Sequence, residues 1–288
     1  MQLKSYLYIC LSFLIISLFN SCSLFEPPSD IPAYIHIDSI GLNTIYDTVG
    51  SNSHKIKDAW VFVDNKIIGV FELPVTFPVI ASGVHTIDVK PGILVDGIAA
   101  DRAQYPYYRY YSENVNFVPN KITKINPVSS YYPSAKFGWR EDFENSVSNS
   151  MITTSNSVDS LKLINSSEGA FEGNFSGSAH VTSYFECETA NGIVLPTDGT
   201  PVYLEMNYKS SNTIRVGVIV TTTAGIGQED TVLQINPSYS WNKIYIDLTT
   251  SVSIYPNAVS FQVFIAAVLD PGMSSSDVYF DNLKLLHQ

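Results

Sequence analysis

The residues best suited to recognition chemistry are aromatic, and the densest group lies at positions 105–111, which read Tyr-Pro-Tyr-Tyr-Arg-Tyr-Tyr. Aromatic rings stack on the C–H faces of sugars, while planar polar groups pair with hydroxyls. Alternate residues of a strand point to opposite faces, so these side chains cannot all be buried on one face. The predicted ligand-binding residues are Tyr105, Tyr107, Tyr108, Arg109, Tyr110 and, later in the chain, Trp139. The alternative is a contact between domains or at a sheet edge, in which protein partners satisfy the hydroxyls.

Catalytic motifs are absent from the sequence, which has no Gly-x-Ser-x-Gly, His-Glu-x-x-His or P-loop pattern. Glu186 and Glu188 flank Cys187 and would share one face of a strand, as paired acids do in hydrolases. Such pairs also arise by chance in an acidic chain, and Cys187 fits a small buried apolar side chain. We predict that the protein is not an enzyme.

The first 21 residues have the pattern of a targeting segment. Lys4 supplies a positive charge, and residues 6–19 are almost wholly apolar but too short to span a bilayer comfortably. Ser21 and Cys22 follow this run and resemble the bacterial lipobox, which implies cleavage before Cys22 and acylation of its thiol. Residues 22–32 then form a proline-punctuated tether. The alternative is an uncleaved anchor helix with an incidental cysteine.

The composition favours β-structure and excludes one class of partner. Val, Ile, Thr, Ser, Asn and Tyr dominate, with 18 Tyr and 15 Phe among 288 residues. The formal net charge of −11 repels nucleic acid, so we predict no nucleic-acid partner. Cys10 leaves with the targeting segment and Cys22 is acylated, so Cys187 has no disulfide partner.

The elements that must position these residues are strands. Short alternating apolar runs separated by Gly, Pro, Asn and Asp recur from residue 33 to the end, as in sandwiches and barrels. We predict an all-β chain of two tandem β-sandwich domains, at 33–132 and 137–288. The segment AWVFVDNKIIGVFELPVTFPVIASGVHTIDV in the first domain resembles small envelope modules of the PEGA or immunoglobulin-like kind, which implies a scaffold.

The second half carries an ordered set of strands: REDFE, GNFSGSAHV, YLEMNYK, WNKIYIDL and VYFDNLKL. This order resembles galactose-binding-like jelly-roll domains, which include many carbohydrate-binding modules. In that family the first and last strands are neighbours and share a structural calcium. The resemblance implies Ca²⁺ ligands at Asp142 and Glu144, which leave the same face around Phe143, and at Asp281 in the last strand. The alternative is three solvated acids on a sheet edge.

The sequence therefore predicts a membrane-anchored, non-catalytic lipoprotein of the cell envelope, on the outer membrane or at the cell surface, that binds glycan. The alternative is an assembly role, in which the tyrosine-rich segment docks to an outer-membrane protein. That role requires an exposed apolar patch of several hundred Å² around residues 105–111.

Overall fold

The computed structural model describes residues 30–145 and 150–288, so the predicted signal peptide, Cys22 and the tether up to residue 29 lie outside the described residues. The prediction of an all-β chain with two tandem sandwiches, the second a jelly roll, is confirmed. Among the described residues, no helix is long and apolar enough to cross a membrane.

The first domain is built from short strands. Its elements are β1 Ala33–Ile37, β2 Gly41–Leu42, α1 Tyr46–Val49, β3 Asp58–Val63, β4 Lys66–Glu72, β5 Val75–Val79, β6 Gly83–Leu94, β7 Arg102–Gln104, β8 Tyr111–Phe117, β9 Ile122–Ile125 and β10 Val128–Ser129. In sheet A, β1 pairs antiparallel with β5 and parallel with β9. In sheet B the order is β4-β3-β6, and the long β6 pairs near its start with β8 and at its end with β7.

Apolar residues at alternate positions of these strands form the core between sheets A and B. Ile35 and Ile37 of sheet A face Val61, Ile87 and Val89 of sheet B, and all five are buried in one core. A fully buried Val or Ile side chain contributes about 1.5–3 kcal/mol relative to an exposed one. The hairpin between β3 and β4 turns at Asp64 and Asn65, whose φ values of 48° and 64° match the right-handed twist of the two strands.

The second domain is a jelly roll of two sheets. Its elements are β11 Lys136–Glu141, β12 Met151–Thr153, β13 Lys162–Asn165, a 3₁₀ turn Ser166–Glu168, β14 Phe175–Val181, β15 Tyr184–Thr189, β16 Tyr203–Ser210, β17 Ile214–Thr222, β18 Gly225–Ile235, β19 Ser238–Asp247, α2 Thr249–Ser253, β20 Ala258–Val268 and β21 Ser276–His287. Sheet C has the order β13-β14-β21-β16-β19, with β11 also on β21, and sheet D has the order β12-β15-β20-β17-β18. Between the sheets lies a core of aliphatic and aromatic side chains that includes the free thiol of Cys187.

The outer face of sheet C is partly covered by the first domain. Tyr203, Tyr245 and Leu286 point away from the jelly-roll core and pack into the hydrophobic core of the first domain. The backbone N–H of Asp96 donates to Tyr245 O at 2.8 Å, which ties the end of sheet B to β19. The two sandwiches therefore share a packed boundary.

A buried carboxylate lies at the centre of this boundary. Glu205 of β16 is fully buried, and its Oε1 accepts hydrogen bonds at 2.9 Å from the hydroxyls of Tyr105 and Tyr131 in the first domain. Lys243 Nζ lies 3.2 Å from Oε2, and Lys284 Nζ donates to Ser51 O at 2.5 Å. A buried charge is tolerated when it is paired and hydrogen-bonded, and both conditions are met here from two domains.

Replacing Glu205 with Gln should destabilise the whole chain. The substitution leaves the ammonium of Lys243 buried without its counter-charge, which costs about 3–5 kcal/mol. Urea unfolding measures the free energy of unfolding. The matched control is Asp101→Asn on the exposed loop before β7, which should change stability by less than about 0.5 kcal/mol. Equal effects of the two variants would contradict a central role for the carboxylate.

Lys284 should give the boundary a pH dependence. Burial lowers the pKa of Lys284 to about 7, against the opposing effect of Glu205. Above that value the unfolded chain binds the proton that the folded chain has lost, so the free energy of unfolding should rise with pH from about 7 upward.

Urea titrations between pH 7 and about 9 measure this rise, below the range in which tyrosines ionise. Lys284→Met should remove it, whereas Lys136→Met, at an exposed position on β11, should leave it in place. A rise that persists in Lys284→Met would assign it to other groups.

Candidate functional site

Three of the predicted ligand-binding tyrosines lie inside the protein. Tyr105, Tyr107 and Tyr108 are buried at the domain boundary, so they are not available to a glycan. Tyr105 donates to Glu205, the Tyr107 hydroxyl donates to Pro201 O and to Leu286 O, and the Tyr108 and Tyr245 hydroxyls are hydrogen-bonded to each other. The prediction that these three residues bind a ligand is therefore wrong. They form a domain contact with satisfied hydroxyls, which was the alternative interpretation.

The other predicted aromatic residues do not form one surface. Arg109 is exposed, and the Tyr110 side chain is 49% exposed beside a cavity of about 350 Å³ that Lys90 and Tyr132 also line. Trp139 packs against the jelly-roll core, and its Nε1 donates to Ser150 Oγ at 2.8 Å. The predicted patch around residues 105–111 is thus mostly closed by the second domain.

The three predicted calcium ligands are each engaged by protein donors. Asp142 accepts from the hydroxyl of Tyr46, Glu144 from the backbone N–H groups of Asn174 and Phe175, and Asp281 from Ser176 Oγ and the Asn282 N–H. Within residues 30–145 and 150–288, no group of three or more His, Cys, Asp or Glu side chains is placed to hold a metal. The donor set as it stands does not fit a calcium ion, which requires several free oxygen ligands.

The outer face of sheet D brings together polar side chains from three neighbouring strands. The register places Glu186, Ala266, Arg215 and Gln234 side by side in one row across β15, β20, β17 and β18. The next row along contains Glu188, Phe264 and Gly217. Because adjacent strands are about 4.8 Å apart, Glu186 and Arg215 flank the small side chain of Ala266 across a gap of two strand spacings.

Local sequence explains why these groups point outward. In β15 the buried Phe185 and Cys187 enter the jelly-roll core, so the intervening Tyr184, Glu186 and Glu188 leave by the other face. Gly217 is required by close packing, since a Cβ there would lie 2.7 Å from Phe264 Cε1 and 2.1 Å from Asp230 O. Phe264 packs over Gly217 and, like its neighbour Ala266, is fully buried.

The polar groups of this face differ in how many hydrogen-bond partners they have. Glu186 accepts hydrogen bonds from the hydroxyl of Tyr184 and, at 2.7 Å, from Thr154 Oγ1. Arg215 is half-buried and its Nε has no hydrogen-bond partner. This nitrogen is itself buried, and a buried donor left unpaired costs free energy that a hydrogen bond to an acceptor would recover.

The electrostatics of the face favour a ligand that donates hydrogen bonds. Burial raises the pKa of Glu188, and the negative charge of Glu186 raises it further. Burial also raises the pKa of Glu229 at the edge of the face, with Glu186 adding to the effect and Arg215 opposing it. Additional negative charge would be repelled here, whereas neutral hydroxyl groups find both acceptors and a free donor.

The face continues into a polar cavity of about 340 Å³ at the end of the Arg215 row. It is lined by Thr213, Arg215, Gln234, Asn236, Val268 and Asp270. Together the rows and the cavity form a surface with charged, amide and hydroxyl groups and the half-buried ring of Tyr184.

A second exposed aromatic group lies on the part of sheet C that the first domain leaves open. Trp241 contacts the rings of Phe171 and Tyr279, with centroid distances of 5.3 Å and 6.3 Å. Lys209 Nζ lies 5.0 Å from the centre of the Tyr279 ring. Trp241 Nε1 donates to Gly169 O, so its indole is held against the surface. This group has fewer polar partners than the outer face of sheet D.

The sequence predicts only the part of the sheet D face that lies on β15. The sequence places Glu186 and Glu188 on one side of a strand and Cys187 on the other. It does not connect them with Arg215 on β17 or with Gln262 on β20. The pairing of β15 with β20 and of β20 with β17 spans up to about 80 residues, and no short-range pattern predicts its register.

Solved structures that resemble this chain are carbohydrate-binding modules. A CBM22-1 xylan-binding domain from Paenibacillus barcinonensis matches at 12% identity and a TM-score of 0.40, covering 55% of this chain and 98% of that chain. A family 11 module from Clostridium thermocellum in complex with a mixed-linked tetrasaccharide matches at 15% identity and a TM-score of 0.38, covering 50% and 92%. No family model matches, and no curated protein matches. Similarity at this level does not transfer a ligand to this chain.

Calcium should leave the stability of the protein unchanged if the three acids keep the partners described above. We expect the same melting temperature in calcium and in the chelator EGTA. A calcium-dependent rise that Asp281→Asn abolishes, and that Asp198→Asn on an exposed loop does not, would instead support the calcium site predicted from the sequence.

Proposed function

We propose that this protein is a non-catalytic lipoprotein of the cell envelope that binds a neutral glycan on the outer face of sheet D. The observation that carries the proposal is the half-buried Arg215 side chain, whose Nε has no hydrogen-bond partner, in a row with Glu186 and on the same face as the half-buried ring of Tyr184. Sugars need this combination, because each ring has an apolar face and a rim of hydroxyls that both donate and accept.

The geometry supports a saccharide rather than a small apolar ligand. In the rows across sheet D, Glu186 is buried, whereas Arg215, Glu188 and Gln234 reach the surface, and most of the polar groups are amide, carboxylate or guanidinium groups. Such planar groups pair with adjacent hydroxyls in a bidentate manner. The acidic surroundings of Glu188 and Glu229 favour uncharged sugars over uronic acids or phosphosugars.

The anchoring part of the proposal rests on the sequence. The apolar run at residues 6–19, Ser21 and Cys22 predict a cleaved lipoprotein signal peptide with the acyl chains on Cys22. More than one acyl chain gives stable membrane attachment, whereas a single one is marginal. We propose an outer-membrane or cell-surface location and a PEGA- or immunoglobulin-like character for the first domain on the same grounds.

The alternative function is docking to an outer-membrane protein. The version of it that used residues 105–111 is disfavoured, because Tyr105, Tyr107 and Tyr108 are buried against the second domain. The exposed large apolar side chains of the first domain lie mainly elsewhere, at the end remote from the jelly roll.

A glycan array of the chain from residue 23 tests the proposal, followed by titration calorimetry with any glycan that binds. Arg215→Ala should weaken binding by roughly 10- to 100-fold, because a hydrogen bond to a charged group is worth about 1.5–3 kcal/mol. Glu188→Gln should weaken binding in the same direction without changing the melting temperature.

The matched control is Trp241→Ala on sheet C, which should bind as the unmodified chain does. Loss of binding in Trp241→Ala with full binding in Arg215→Ala would move the site to sheet C. The absence of any glycan ligand would contradict the proposal.

A further inference from the structure

The end of the first domain farthest from the jelly roll carries a set of exposed apolar side chains, which we call the tip. Their side chains are between 43% and 72% exposed. The tip consists of Ile31, Ile67, Ile80, Val84, Val118 and Ile122. Scattered apolar residues are common on protein surfaces, but several that lie together at one end of a domain indicate an interaction.

Strand register places these residues together. Ala33 at the start of β1 pairs with Val79 at the end of β5, so Ile31 and Ile80 emerge at the same end of sheet A. In sheet B, Gly83 at the start of β6 pairs with Phe117 at the end of β8, so Val84 and Val118 lie at this end too.

The hairpin between β3 and β4 completes the tip. Asp64 N–H donates to Thr86 O at 2.9 Å, which fixes this hairpin beside the start of β6. A groove of about 450 Å³ runs between the hairpin and the end of β5, and Ile67, Ile68, Pro78 and Ile80 are among its lining residues.

The tether enters the fold at the tip. Pro32 O accepts a hydrogen bond from Asn120 N–H at 2.8 Å, in the turn between β8 and β9. Residues 22–31 precede it, and ten residues reach at most about 35 Å. A lipid on Cys22 would therefore hold the tip within a few nanometres of the membrane that carries the lipid.

The opposite end of the same domain faces the jelly roll. Strand β6 runs from Gly83 at the tip to Leu94, a span of about 37 Å at 3.4 Å per residue. Two residues later, Asp96 is hydrogen-bonded to Tyr245 of sheet C. The tip and the proposed glycan-binding face thus lie on different sides of the domain boundary.

The charges at the tip suit a lipid interface. Lys66 and Lys121 are exposed there, and the carboxylate of Asp64 is paired with His85 at 2.6 Å. The chain as a whole is acidic, with a net charge of −11 that an anionic membrane repels. The apolar side chains of the tip and the two lysines offset that repulsion locally. Burying apolar side chains in the membrane interface is favourable, and cationic side chains are attracted to anionic lipid.

We propose that the tip inserts its apolar side chains into the interfacial region of the membrane to which the protein is anchored. This inference rests on the proposed lipid anchor at Cys22. The tip acts as a second attachment beside the acyl chains and sets the orientation of the molecule, so that the jelly roll is directed away from the lipid.

The test uses the mature lipidated chain in vesicles of phosphatidylethanolamine and phosphatidylglycerol. Ile80→Cys provides a thiol for an environment-sensitive nitrobenzoxadiazole label, and Cys187 is fully buried and so does not compete for it. Val194→Cys is the matched control, because Val194 is 75% exposed but belongs to the jelly roll. We expect the label at position 80 to emit at shorter wavelength and to be quenched by spin-labelled lipid, and the label at position 194 to behave as in water.

Water-like emission from both labels would overturn the proposal, provided that mass spectrometry finds the acyl chains on Cys22. An environmental change at position 80 that requires an added outer-membrane protein, and not lipid alone, would also overturn it in favour of a protein partner.

Absence of the acyl mass would contradict the anchor and not the tip. Sedimentation of the unacylated chain from residue 23 with the same vesicles then tests whether the tip binds lipid without the anchor. Retention that falls by about tenfold in Ile80→Asp, but not in Val194→Asp, would support the tip. Absence of retention would overturn it.

Discussion

The carboxylate of Glu205 is the group on which the arrangement of the two domains depends. It lies in the middle of sheet C, where a solvated glutamate would be unremarkable if the sheet were exposed. Because the first domain covers it, the carboxylate needs donors and a counter-charge. Tyr105 and Tyr131 donate hydrogen bonds across the boundary, and Lys243 on the adjacent strand supplies the positive charge. Separating the domains would require this whole set to be rehydrated, so the tyrosines, lysines and carboxylate act together to hold one relative orientation.

That boundary also decides which surfaces remain for ligands. Each sheet of a sandwich has one face in the core and one face outside. In the jelly roll, the outside of sheet C is largely occupied by the first domain, which leaves the Trp241 cluster on its open part. The hydrophobic core of the first domain takes residues from sheet C, whereas the strands of sheet D present Glu188, Arg215 and Gln262 on one outer face. The placement of the proposed glycan site is thus a consequence of how the domains pack.

The sequence predicted the architecture far better than it predicted the site. Alternation of apolar residues and the turn residues Asp64 and Asn65 are local signals, and the strands that they predict are present. The tyrosines of residues 105–111 were assigned to a ligand because their composition suits sugars, but the same amphipathic side chains also suit a buried polar boundary. What distinguishes the two cases is Glu205, which lies 100 residues away from Tyr105 and reveals itself only when the sheets are paired. Arg215 was missed for the same reason, since its partners in the row come from β15 and β20.

The twelve-residue strand β6 extends from the tether end of the molecule almost to the jelly roll, hydrogen-bonded to β3 over residues 87–92 and to β8 or β7 along its other edge. A pull on a bound polysaccharide would be resisted at the membrane, so the load would run roughly parallel to these strands. Hydrogen bonds loaded in this direction must shear together, instead of opening one at a time as they do when strands are peeled apart. Under the proposed function, the first domain would therefore carry tension along its strands, on the axis between the proposed lipid anchor and the proposed glycan site.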